Sequence, residues 1–163
     1  MISNHYSQHL DLSHDEHKLK GCGIACLAML LRGKAPSLDE LYRLGLEQEA
    51  YIPGIGWRHA GLAGLARHFG FANSRHYDLA ALSLDEATSK LKAELNNGPV
   101  MASVFSKFDP ASKDGHLVVL LSLDNKEAMV LDPDTADREQ IRQTIPADKF
   151  LAAWKKRFIV VRK

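Results

Sequence analysis

The chain has 163 residues with 21 basic and 20 acidic side chains, a formal net charge of +1, and 45% hydrophobic residues. That balance excludes a disordered chain and, with no basic stripe, excludes nucleic acid as the expected partner. A chain of this length is expected to fold as one domain spanning residues 1–163, with roughly 70% of its unfolded surface buried.

The first twenty residues are polar and histidine-rich. They lack the basic start and apolar middle of a secretory signal and read as an extended lead-in or short turns. The longest apolar run, Leu117 to Leu121, falls far short of the roughly 20 residues of a membrane helix. The expectation is therefore a cytoplasmic protein with no membrane segment. Cys22 and Cys26 are too few and too close for a disulfide framework and read as free thiols.

From Cys22 to Arg32 the run CGIACLAMLLR is almost wholly apolar and is followed by Gly33. It predicts a buried central helix. Two capping boxes follow. Ser37–Glu40 precedes Leu41 and Leu44, and Ser83–Glu86 precedes Ala87, Leu91 and Leu95. Between them, Trp57 to Phe69 carries Leu62, Leu65, Ala66 and Phe69 at helical spacing, ending at Gly70. Gly61 and Gly64 inside that helix cost about 1 kcal/mol each unless another backbone packs against them.

At Asn96–Pro99 the character changes to strands: Val100–Phe105, His116–Leu123, Glu127–Leu131 and Gln140–Ile145, with 124–126 as a hairpin turn. Pro146 opens a short helix carrying Phe150, Leu151 and Trp154, and Phe158–Val161 is a last strand. Helices first and an antiparallel sheet afterwards define an α+β order.

Three residues carry the candidate chemistry. Cys22 starts the central helix, where unpaired amides and the helix dipole favour thiolate. Gly21 and Gly23 on either side would let a substrate backbone approach. Cys26, one turn inward, reads as packing. His116 opens the most apolar strand, and Asp132 ends the next one. With a three-residue loop, paired positions sum to 250. His116 then faces Asp134, and Asp132 is its diagonal neighbour, roughly 7–8 Å away on the same face. A two-residue loop would put Asp132 on the other face. A cysteine on a helix start with histidine and aspartate on neighbouring strands is a triad layout for thiolate attack on a carbonyl.

The segment Gly21–Leu30 (GCGIACLAML) resembles the nucleophile segment of bacteriocin-processing peptidases, papain-like enzymes that cleave leaders after a Gly-Gly pair. Gly56-Trp57, Asn97–Val100, Gly115–Val119 and Leu131–Pro133 continue the likeness, and Phe150 and Trp154 look like the family's closing helix, so that it covers residues 14–160. The resemblance implies a papain-like α+β fold, N-terminal helices packed on a C-terminal antiparallel sheet. It also implies Cys22, His116 and Asp132 as catalytic residues, a peptide or protein substrate, and no cofactor. One position departs. The family carries a glutamine six residues before the cysteine, whose amide donates to the oxyanion, and Glu16 stands there. An ionised glutamate only accepts hydrogen bonds and repels a developing oxyanion. His17, His14 or Gln8 can take that place if the lead-in bends differently, and spacing does not choose among them. No transporter region follows Lys163, so a freestanding relative is expected.

Three other readings compete. Glu16 suits a catalytically impaired peptide-binding protein. His5, His9, His14 and His17 suit a metal site, although their spacing is not a familiar tetrahedral signature and a solvated lead-in explains them better. A cysteine-dependent acyltransferase uses the same three residue types. Arg58, His59, Arg67, His68 and His76 read as a solvated helix face and loop rather than a cleft.

Overall fold

The computed structural model describes all 163 residues. The chain forms helices α1 (Asp15–Lys18), α2 (Cys22–Leu30) and α3 (Leu38–Glu47). Short strands β1 (Tyr51–Ile52) and β2 (Gly56–Trp57) and helix α4 (His59–His68) follow. Next come β3 (Arg75–Asp78), α5 (Leu84–Leu95), β4 (Val100–Phe105), β5 (Gly115–Leu123), β6 (Glu127–Leu131), β7 (Arg142–Pro146), α6 (Ala147–Ala153) and β8 (Trp154–Val160). Six strands form an antiparallel sheet in the order β3-β8-β4-β5-β6-β7. No helix is long and apolar enough to cross a membrane.

The sheet is buried on both faces, which explains the unbroken apolar run of β5. Met101, Leu117, Val119, Leu131 and Ile159 join α2, α3 and α4 in one core. Val100, Ala102, Val104, Val118, Leu120 and Val160 join Ala87, Leu91 and Phe150 in another. Helix α2 is apolar all round because it is enclosed: every residue from Gly23 to Leu30 is buried. It stops at Leu30, two residues earlier than expected, and Arg32 and Gly33 both take positive φ beyond it.

Both capping serines accept a hydrogen bond from the amide three residues on, Glu40 and Glu86. The reciprocal half of the first box is absent, because Glu40 pairs with Arg43 instead. Helix α4 begins at His59, not Trp57, since Gly56-Trp57 pairs with Tyr51–Ile52 as a small hairpin. Of its two glycines, Gly61 is required: a Cβ there would lie 2.7 Å from the Ala50 Cα. Gly64 faces open space apart from the Arg67 guanidinium.

The closing segment differs from expectation. Trp154 leaves the helix and starts β8, and Lys156, at positive φ, accompanies a register shift between Ala102 and Val104. Gln140 lies in a 3-10 turn, and the strand starts at Arg142. Strand β3 (RHYD) has no apolar alternation to announce it, because it is a mostly exposed edge strand paired only with β8.

The β5–β6 hairpin decides how His116 meets Asp132. Next to the turn, Leu123 pairs with Ala128 and Ser122 with Met129, so positions sum to 251 and the expected register is wrong there. An irregularity between Leu120 and Ser122 absorbs one residue. Beyond it, Leu120 pairs with Val130 and Val119 with Leu131, which sum to 250. The bulge restores the phase that puts His116 and Asp132 on one face.

The lead-in is not a solvated tail. Gln8 N–H donates to the Pro133 carbonyl at 3.0 Å, Ser7 Oγ donates to the Thr135 carbonyl, and the Arg138 guanidinium clasps the Asp11 carboxylate. Residues 7–11 are therefore laid against the loop that follows Asp132.

Candidate active site

His116 and Asp132 are both about nine-tenths buried, and His116 Nε2 lies 2.7 Å from Asp132 Oδ1. Asp132 Oδ1 also accepts from the Asp134 amide at 2.9 Å, and the Asp132 amide donates to the Ile141 carbonyl at 2.7 Å. The carboxylate is thereby held by two donors at one oxygen, and its backbone is anchored by a third bond. Burial opposes its charge, but the hydrogen bond and charge of His116 overcome this and hold the Asp132 carboxyl below its usual range. Burial would likewise depress the His116 pKa. The hydrogen bond to Asp132 and the nearby Cys22 sulfur, with the charges of both, outweigh burial and pull it up to about 10. With Nε2 committed to Asp132, Nδ1 is the ring nitrogen left for the sulfur.

Cys22 is the first residue of α2, so its own amide has no partner within the helix. Its side chain is partly exposed, and it lines the same cleft as His116. Its two glycine neighbours are required by the protein's own packing. A Cβ on Gly21 would lie 2.3 Å from Leu12 Cδ1, and one on Gly23 would lie 2.9 Å from the Trp57 indole. Cys26 is fully buried, and its thiol donates to the Leu117 carbonyl at 3.3 Å. Burial, then the charges of Cys22 and Asp132, push its pKa well up, so it stays a packed thiol.

Glu16 does not line the cleft. It sits in the one-turn helix α1 with its side chain 83% exposed, 3.8 Å from His17 Nε2. His17 does not line it either, and its ring stacks on Tyr42 at 3.9 Å. The residue placed beside Cys22 is Gln8. It lines the cleft, is 3% exposed, and a Cβ on Gly21 would lie 3.1 Å from Gln8 Cβ. Gln8 Nε2 donates to the Lys18 carbonyl at 2.7 Å, which leaves one amide hydrogen, and Oε1 is buried without a partner. Trp57 Nε1 donates to the Lys20 carbonyl at 2.6 Å. These two side chains together fix the peptide that leads into Cys22. The offset of 14 residues between Gln8 and Cys22 arises from the folded-back lead-in, which no local pattern encodes.

The four N-terminal histidines do not converge. His9 Nε2 lies 2.6 Å from Asp134 Oδ1, while His14 meets only the edge of His17. No group of three or more His, Cys, Asp or Glu side chains is arranged to hold a metal ion. Of Arg58, His59, Arg67, His68 and His76, only His59 lines the cleft. Burial, then the charges of Arg157 and His76, lower its pKa to about 4. Between pH 6.5 and 4 the unfolded chain therefore takes up a proton at His59 that the folded chain refuses, and stability falls as pH falls. His59→Gln is expected to flatten that part of a plot of Tm against pH; a parallel, unflattened curve would show that His59 does not titrate this way.

A helix N-terminal cysteine, a buried histidine–aspartate pair and an antiparallel sheet behind them define the papain-like peptidase fold. The Peptidase_C39 like family model matches residues 4–158, and the chain belongs to that family. A crystal structure of a putative C39-like peptidase from Bacillus anthracis superposes with a TM-score of 0.65 at 19% identity, covering 98% of this chain and 94% of that one. A double glycine motif protease from an AMS/PCAT transporter, in complex with the leader peptide, gives 0.60 at 22% identity over 85% of this chain and 81% of that one. The peptidase domain of Streptococcus ComA, a bi-functional ABC transporter in a quorum-sensing pathway, gives 0.63 at 19% identity over 89% and 93%. No curated protein sequence matches the chain significantly.

Proposed function

We propose that the protein is a cysteine peptidase in which Cys22 is the nucleophile, His116 its acid–base partner and Asp132 the residue that orients the imidazole. The observation that carries this reading is the buried 2.7 Å bond from His116 to Asp132, on a histidine that shares its cleft with a cysteine at a helix start. His116 Nδ1 takes the thiol proton, and the sulfur attacks the substrate carbonyl. The oxyanion accepts from the Cys22 amide and the free Gln8 amide hydrogen. The imidazolium then protonates the leaving amine, and water, activated by the same imidazole, releases the acyl group. The double glycine motif protease structure with its bound leader peptide supports a peptide as substrate, and cleavage after a Gly-Gly pair is the specificity to assay first.

Alkylation tests the pair without a known substrate. Iodoacetamide labelling of Cys22 and Cys26 is followed separately by mass spectrometry from pH 5 to 9, in wild type and in His116→Ala. Cys22 is expected to label fast near pH 6 and to lose that advantage in the variant, while Cys26 stays protected. Labelling of Cys22 only above about pH 8, as for a free thiol, in both proteins would overturn the catalytic reading.

A further inference from the structure

The cleft has two lobes that meet at Cys22 and His116, and their charges are opposite. One lobe, about 280 Å³, is lined by Lys20 and Lys155 over a floor that includes Tyr51, Trp57 and Ser103, with no carboxylate. His59, also in this lobe, is neutral at pH 7. Neither lysine has an ion pair. Lys20 Nζ lies 5.8 Å from the Tyr51 ring centroid, and Lys155 Nζ lies 4.8 Å from that of Phe105, cation–π contacts that hold the ammonium groups in place. Lys155 Nζ is also 3.0 Å from where a Gly115 Cβ would stand, next to His116.

The other lobe, about 380 Å³, is lined by Asp114 and Asp134 with His9 and Gln8, and contains no lysine or arginine. Asp114 has no ion pair, and Asp134 has only His9. Leu19 and Ile55 border both lobes and are 77% and 80% exposed, two large apolar side chains left open over the nucleophile.

We propose that the cleft selects a peptide with opposite charges on its two flanks, acidic over Lys20 and Lys155 and basic over Asp114 and Asp134, with its central residues between Leu19 and Ile55. The proposal rests on the peptidase reading of the site and names its substrate class. Each rim charge contributes modestly in water and is screened by salt. Several acting in one direction give about tenfold at low ionic strength.

The test uses four labelled peptides that share a Gly-Gly centre: acidic–basic, basic–acidic, acidic–acidic and basic–basic. Their binding to the Cys22→Ala protein is read by fluorescence anisotropy at about 20 and 300 mM salt, and their cleavage by wild type separately. The expected result is that the two mixed peptides are the extremes. One binds about tenfold tighter than either like-charged peptide, the other weaker than both, and the spread narrows at high salt. Lys20→Glu with Lys155→Glu moves the preference at that flank to basic residues. Equal binding of all four peptides, or a preference that survives the double charge reversal, overturns the proposal. Selective binding without cleavage overturns the peptidase reading and leaves charge selection standing; cleavage without selectivity does the reverse.

Discussion

Asp132→Ala is expected to lower kcat/KM on a cleaved peptide by about 10⁴-fold, the scale seen when the orienting carboxylate of a triad is deleted. The buried His116 ring would lose the bond that fixes it, leaving an N–H without a partner at a cost of about 1–3 kcal/mol. Asp132→Asn is expected to do far less damage. In this fold Asp132 Oδ1 accepts from both His116 Nε2 and the Asp134 amide. The Asp134 N–H therefore orients an asparagine with its oxygen toward the histidine and keeps the imidazole in the same tautomer. What is lost is charge, worth about 1.5–3 kcal/mol for a charge-assisted bond, or about 10–100-fold in rate. Without the carboxylate, burial dominates and the His116 pKa drops below its present value of about 10. The alkaline limb of the pH–activity profile should move to lower pH in Asp132→Asn. Equal losses in the two variants, or an unmoved limb, would show that Asp132 does not hold the imidazolium.

The same pair fixes a sign for stability. His116 has a folded pKa above its unfolded one, so its contribution is complete below pH 6.5 and disappears as pH rises toward about 10. Asp132 is shifted down, so its contribution is present above the usual carboxylate range and is lost in acid. The pair supports the fold best between these limits, and Asp132→Ala should narrow the difference in Tm between pH 6 and pH 10.

What could be read in the residues was whatever depends on short range. Helix α2 announced itself because enclosure on all sides leaves an unbroken apolar run. The caps at Ser37 and Ser83 are local hydrogen bonds, and the strands of the central sheet are long and doubly buried. Strand β3 was invisible because an exposed edge needs no apolar pattern. The His116–Asp132 geometry was reached through a hairpin register that fails at the turn and is rescued by a bulge near Leu121, a feature without a sequence signal. The packing need for Gly21 and Gly23 is equally hidden, because the atoms that forbid a side chain there belong to Leu12 and Trp57. Counting back six residues from Cys22 lands on Glu16, which is exposed, because the lead-in folds over the Pro133 loop and lays Gln8 in the cleft.

Gln8→Ala is expected to lower kcat by about 10²–10³-fold, the cost of one oxyanion donor, with little change in KM. Glu16→Ala should stay within about twofold of wild type, because its carboxylate points to solvent. The contrast separates a donor aimed at the oxyanion from a general disturbance of the lead-in. A loss that arose only because the segment before Cys22 shifted would also slow iodoacetamide at Cys22, since both depend on the placement of the sulfur. Loss of an oxyanion donor leaves alkylation untouched, because that reaction forms no oxyanion. The stability cost of Gln8→Ala should be small for a buried polar side chain, as the bond to the Lys18 carbonyl is offset by removal of the unpartnered Oε1. Gln8→Glu sharpens the test, for it keeps the volume and replaces the donating amide with a group that, when ionised, only accepts. It should be at least as slow as Gln8→Ala and recover in part as pH falls and the carboxyl gains a proton to donate. Wild-type rates in either Gln8 variant, or an equal loss in Glu16→Ala, would overturn Gln8 as the oxyanion donor.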